Sequence, residues 1–167
     1  HYARALAHAA RNDFDGAQRE IAAIERIEHS ADFQPYADWY VPGREIVQTA
    51  QLVASARLAD ARGDLAAAAR AYEAAIAIED SLAYMEPPYW YYPVRQSLGS
   101  VYLRQGRLDE SEKVLRESLL RSRGNGGALA GLAGGYRRKG DRQAERATRQ
   151  AYESAWFGDK APDIARL

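Results

Sequence analysis

Four turns of one kind divide this 167-residue chain, at Asn12, Gly63, Gly106 and Gly140. Ser111, Leu115 and Ser118 stand five, nine and twelve residues after Gly106. Ala68, Tyr72 and Ala75 keep the same distances after Gly63, and Ala17, Ile21 and Ile24 keep them after Asn12. On the other side, Leu98 and Tyr102 precede Gly106 by eight and four residues, as Leu132 and Tyr136 precede Gly140. Glycine, and asparagine after it, accepts the left-handed backbone with which many helices end. The pattern therefore reads as four helical hairpins. A hairpin this small cannot bury its own apolar face, so neighbours must stack.

Composition agrees with helices. Alanine, leucine, glutamate and arginine dominate, while β-branched residues are few and sustained alternation is missing. The expected helices run over about 1–11, 14–28, 44–61, 64–78, 93–105, 108–121, 127–139 and 141–157. Pro93 suits a first helical turn, and Asn125 can cap the seventh helix. The small residues Gly99, Ala68 and Ala133 let paired helices approach, and Tyr72, Tyr102, Leu115 and Tyr136 fill the spaces between units. A chain of this length is expected to form one domain with a core of its own.

The gaps between turns are 51, 43 and 34 residues. The last equals the period of the tetratricopeptide repeat, a helix–turn–helix unit of about 34 residues. Leu98-Gly99-x-x-Tyr102 and Ala68-x-x-x-Tyr72 resemble that repeat's signature. "HYARALAHAA", "YMEPPYWYYPVRQSLG" and "GNGGALAGLAGGYRRKGD" are similar to the C-terminal part of a bacterial family of tetratricopeptide-repeat proteins, whose members carry a phrase much like EPPxWYYPVRxSLG. The resemblance covers nearly the whole chain and is strongest from Tyr84 to Gly106. It implies an all-α, right-handed α-solenoid of four hairpins, at about 1–29, 44–80, 92–125 and 126–159, with a tail at 160–167. It implies little chemistry. Members of the family are longer and carry histidine-containing segments before this region, which implies an accessory role beside an upstream metal or enzyme site as one alternative. Arg95 stands where the repeat usually has tryptophan, and Asp80 and Arg123 where it often has proline. Glu145 and Arg149 replace a small and an aromatic residue, as in a capping repeat with a polar outer face.

Two insertions, at about 30–43 and 81–91, account for the longer gaps. The first holds Phe33, Tyr36, Trp39 and Tyr40; the second holds Tyr84, Met85, Tyr89, Trp90 and Tyr91, with Tyr92 at its edge. Solvated loops do not need so much ring surface. Either the rings fold onto the helices and plug their grooves, or some grip a partner, as Trp, Tyr and Arg do in binding hot spots. Pro87-Pro88 stiffens the second insertion and lowers the entropy cost of holding it in place.

In such a solenoid the inner face comes from the first helix of each hairpin. Tyr2, Leu6, Arg57, Asp60, Gln96, Ser100, Arg104, Arg137 and Arg138 fall there by spacing. Arginines outnumber acids, which favours an acidic or C-terminal peptide, with a solvated polar face as the equal alternative. The candidate partner-binding residues are Tyr2, Arg57, Trp39, Tyr40, Trp90, Tyr91, Arg95, Gln96 and Arg104. The expected function is a non-catalytic protein- or peptide-binding scaffold. The alternative is a structural domain that self-associates as a homo-oligomer or packs on a preceding region.

Other chemistries find little support. Lysine plus arginine and aspartate plus glutamate number 23 each, so no net field favours nucleic acid or an anionic membrane. No apolar run reaches the roughly 18 residues that span a bilayer. Cysteine is missing, which removes thiolate metal sites and leaves the compartment open. The first residue is His1, so a processed form or fragment is expected. His1 and His8 are seven residues apart, wider than the usual zinc-ligand spacing, so neither metal nor cofactor is expected. Glu86 has no partner base or nucleophile in the pattern, and a hydrogen bond or a salt bridge to Arg95 is its expected role. The glycine-rich run from Gly124 lacks the Lys-Ser/Thr of a phosphate loop.

Overall fold

The computed structural model describes residues 1–158, and these are helical with no strand among them. The expected tail, and the last residue of the fourth expected hairpin, lie outside the described residues. The chain falls into two compact units, one of His1–Tyr92 and one beginning at Pro93.

The first unit holds α1 (Tyr2–Ala10), α2 (Phe14–Ser30), α3 (Gln34–Ala37), α4 (Gly43–Ala61) and α5 (Leu65–Ser81). α1 packs on α2, α4 packs on α5, and α4 also touches α1 and α2. Ala5, Ala9, Ala17, Ile21, Ile24, Ala54 and Leu58 form the buried centre, with Tyr2, Leu6, Phe14 and Val47 around it. Most of these are alanines, which lets the helix backbones come close. Each fully buried isoleucine or leucine contributes about 1.5–3 kcal/mol.

The second unit holds α6 (Val94–Gln105), α7 (Leu108–Arg121), α8 (Gly126–Lys139) and α9 (Arg142–Ala155). α6 pairs with α7 and α8 with α9, while α8 also packs on α6 and α7. Leu115 is fully buried here. Ser111 Oγ, also buried, donates to the Gly99 carbonyl at 2.8 Å and ties α7 to α6. α9 buries no residue completely, and its Glu145 and Arg149 pair along the helix at 3.2 Å.

The four turns share one geometry. Asn12, Gly63, Gly106 and Gly140 have φ of 59°, 79°, 79° and 77°. At each, the following residue's N–H reaches back to a carbonyl five residues earlier: Asp13 to His8, Asp64 to Ala59, Arg107 to Tyr102 and Asp141 to Tyr136. This closes the outgoing helix in a Schellman arrangement. The same residue then starts the next helix. Asp13, Asp64 and Asp141 accept from the N–H groups of Gly16, Ala67 and Ala144 at 2.9 Å each. An aspartate directly after the left-handed residue is a readable signal that the turn spacing alone does not use. Arg107 is the exception. It lays its guanidinium over the Tyr102 ring at 4.1 Å and reaches Glu110 at 3.0 Å instead.

Several helix ends shift by one to three residues from the expected ones. α2 and α5 run on to Ser30 and Ser81, whose hydroxyls bond back to Arg26 and Ile78 carbonyls at 2.7 Å each. Both chains then leave in extended backbone, at Ala31 and Leu82. The first insertion also contains the short helix α3, which its proline and aromatic content did not suggest.

Candidate functional site

The first insertion is braced by polar side chains. Asp32 Oδ1 accepts the Gln34 N–H at 2.9 Å, and the Gln34 amide donates to Asp38 at 2.9 Å. Pro35 sits in the first turn of α3, where its missing N–H costs nothing. Phe33 anchors the insertion on α4. The Arg44 guanidinium lies 4.9 Å from its ring centre, and a Cβ on Gly43 would come within 3.0 Å of the same ring. In the turn that follows α3, Tyr40 has φ 58°, a tyrosine where the backbone favours glycine. The Tyr40 N–H bonds to Ala37 at 2.9 Å and the Val41 N–H to Tyr36 at 2.9 Å, which repeats the hairpin-turn closure. This geometry turns two large rings outward: Trp39 is 82 % exposed and Tyr40 88 %.

The second insertion does the opposite with its tryptophan. Trp90 is only 9 % exposed. It meets Tyr2 of α1 edge-on, with ring centres 5.3 Å apart, and lies 5.3 Å from Tyr91 and 6.4 Å from Tyr92. The Tyr2 and Tyr91 hydroxyls share a hydrogen bond of 2.9 Å. The Trp90 indole N–H has no hydrogen-bond acceptor among the described residues. Tyr91 and Tyr84 project into solvent, and the Tyr84 hydroxyl donates to Glu86. The two insertions meet where the Tyr89 hydroxyl donates to the Tyr40 carbonyl at 3.1 Å. The aromatic segments thus divide their labour. Trp90 packs; Trp39, Tyr40, Tyr84 and Tyr91 are displayed.

Arg57 of α4 is half-buried and bonds to Tyr92. Burial works against its charge, but the Tyr72, Tyr92 and Tyr2 hydroxyls outweigh that and hold its pKa above the usual arginine value. The Tyr2 phenol is pushed far up, first by burial and then by its bond to Tyr91. Tyr84 is raised as well, chiefly by its bond to Glu86. At neutral pH Tyr2 and Tyr84 are therefore neutral hydroxyls, Tyr2 beside the Arg57 cation and Tyr84 beside the Glu86 carboxylate. They suit hydrogen bonding and stacking, and nucleophilic work needs a deprotonated group.

The remaining expected site residues lie in the second unit. Arg95 is buried, not presented, because it sits in the first turns of α6 where that helix packs on α7 and α8; Glu117 faces it at 3.5 Å. Glu86 accepts a hydrogen bond from Tyr84, and a carboxylate that faces Arg95 is Glu117. Gln96 is half-buried and Arg104 exposed. Arg138 donates to the Leu103 carbonyl, so part of this arginine set serves packing. Among the described residues no three His, Asp or Glu side chains are grouped to hold a metal ion, and no helix is long and apolar enough to cross a membrane. Sequence reasoning missed the bracing by Asp32 and Asp38 and the left-handed Tyr40. An aspartate two residues before Gln34 was the one available sign, since such spacing favours a local side-chain-to-backbone turn.

No family model matches the chain, and neither a curated protein nor a solved structure matches it.

Proposed function

We propose that this chain is a non-catalytic protein- or peptide-binding module built from tetratricopeptide-like hairpins stacked as a right-handed α-solenoid. The repeated turn spacing, the adjacent pairing of helices and the shared left-handed closures support the architecture. The display of Trp39 and Tyr40 carries the functional reading. Two neighbouring large rings stand in solvent on a braced turn, one of them at a backbone angle that costs a tyrosine about 1 kcal/mol. The left-handed angle closes the turn after α3, and the rings that it leaves in solvent are fixed before binding, as a hot spot requires.

The test is selection of binders from a displayed random-peptide library, followed by affinity measurement on a variant carrying Trp39→Ala and Tyr40→Ala. A loss of tenfold or more is expected, with unchanged helicity. Binders that keep full affinity for the variant would remove the assignment to this surface. Light scattering on the same two proteins checks the competing reading. A dimer that dissociates in the variant would mean that the rings serve self-association.

A further inference from the structure

We infer that the surface displayed by the two insertions takes a cationic partner, a segment of another protein that carries arginine or lysine among apolar residues. The inference rests on the binding reading above and adds the chemistry of the ligand.

The charge of the insertions supplies the argument. Residues 31–42 contain Asp32 and Asp38, residues 82–92 contain Glu86, and neither stretch contains a lysine, arginine or histidine. In a chain whose charges balance overall, the two stretches carry three carboxylates, against which the half-buried Arg57 of α4, bonded to Tyr92, sets one cation. The acids flank exposed rings: Asp38 adjoins Trp39, and Glu86 holds the exposed Tyr84 by its hydroxyl. Aromatic faces are themselves negative, and guanidinium or ammonium groups seat on them within about 6 Å of the ring centre. The same unit already shows this pairing twice, with Arg62 over Phe14 at 5.4 Å and, at the foot of the first insertion, Arg44 over Phe33 at 4.9 Å. Arg44 is the cation nearest in sequence to the first insertion, and it is engaged there and with the Glu28 carbonyl at 2.9 Å.

Other occupants fit less well. Nucleic acid and anionic lipid would bring phosphates against carboxylates. A second copy joined through the same face would oppose like charges at a self-complementary interface, which disfavours association. A short basic and apolar segment satisfies both the rings and the acids. It needs no rearrangement, because Tyr89 and Tyr40 already hold the insertions together.

The experiment follows the Trp39 indole N–H in nitrogen-15 NMR spectra of the whole chain, assigned with Trp39→Phe. One probe is a short blocked peptide of alternating leucine and arginine; the control is the leucine–glutamate peptide of equal length. The arginine peptide is expected to move the Trp39 signal saturably at millimolar concentration. Combined Asp32→Asn, Asp38→Asn and Glu86→Gln substitution should weaken that binding about tenfold, and added salt should weaken it too. If the glutamate peptide moves Trp39 as well as the arginine peptide does, or the triple variant binds arginine peptide unchanged, the cationic assignment is overturned while the binding surface stands. If neither peptide moves Trp39, and library-selected binders do not either, both conclusions fall together.

Discussion

Leu115 occupies the space that a side chain at position 99 would need: a Cβ on Gly99 would lie 2.4 Å from both Leu115 Cγ and Cδ2. Gly131 of α8 meets the same leucine from another helix, with its added Cβ 2.9 Å from Cδ1. One leucine thus requires two glycines on two helices. Alanine at position 99 would gain about 1 kcal/mol of helix propensity but lose about 1–3 kcal/mol or more to overpacking, because the neighbour is a fully buried side chain. Gly99→Ala is therefore expected to lower stability in urea unfolding. Adding Leu115→Ala should make the two losses less than additive, and strict additivity would show that the contact is not the cause.

The turn glycines differ from these packing glycines. Gly63 has nothing within 4 Å of an added Cβ, so its only demand is the left-handed backbone at φ 79°. Gly63→Ala should cost about 1 kcal/mol, and Asn12→Gly should be neutral or slightly stabilising. Paired unfolding curves measure both. An equal effect at the two positions would contradict the backbone argument.

Acid should weaken the first hairpin through Asp13. The Gly16 N–H and then the His8 ring, 2.7 Å away, hold its carboxyl below the usual aspartate range. A folded-state value below the unfolded one means that the stabilisation is present above about pH 4 and lost as pH falls through the folded value. Asn can still cap α2 but carries no charge. Asp13→Asn should therefore flatten the acid limb of stability against pH while leaving helix content intact. An unchanged acid limb would assign the sensitivity elsewhere, with Glu112, lowered chiefly by Lys139, the next group to substitute.

The tryptophans should report the division between the insertions. Iodide or acrylamide should quench Trp39 readily and Trp90 poorly, given exposures of 82 % and 9 %. Trp39→Phe is expected to lower the quenchable fraction strongly, and Trp90→Phe to raise it by removing shielded emission. Trp90→Ala should also destabilise by about 3 kcal/mol, because a buried ring packed on Tyr2 is lost. The reverse quenching order would overturn the site description.

The helical class, the four turn positions and most helix boundaries were written in local pattern. A left-handed helix end selects Gly or Asn, and the buried face of a helix selects apolar residues at fixed spacing; both are properties of a few neighbouring residues. The fate of the aromatic segments was not local. Trp39 and Trp90 sit in equally ring-rich, proline-bearing stretches, yet one stands in solvent and the other lies against Tyr2 of α1, far away in sequence. Arg95 likewise reads as a surface cation but is buried. Periodicity fixes what each helix must hide. Only the meeting of distant segments decides which ring finds a neighbour to hide against, because burial is a property of the pair and not of either residue alone.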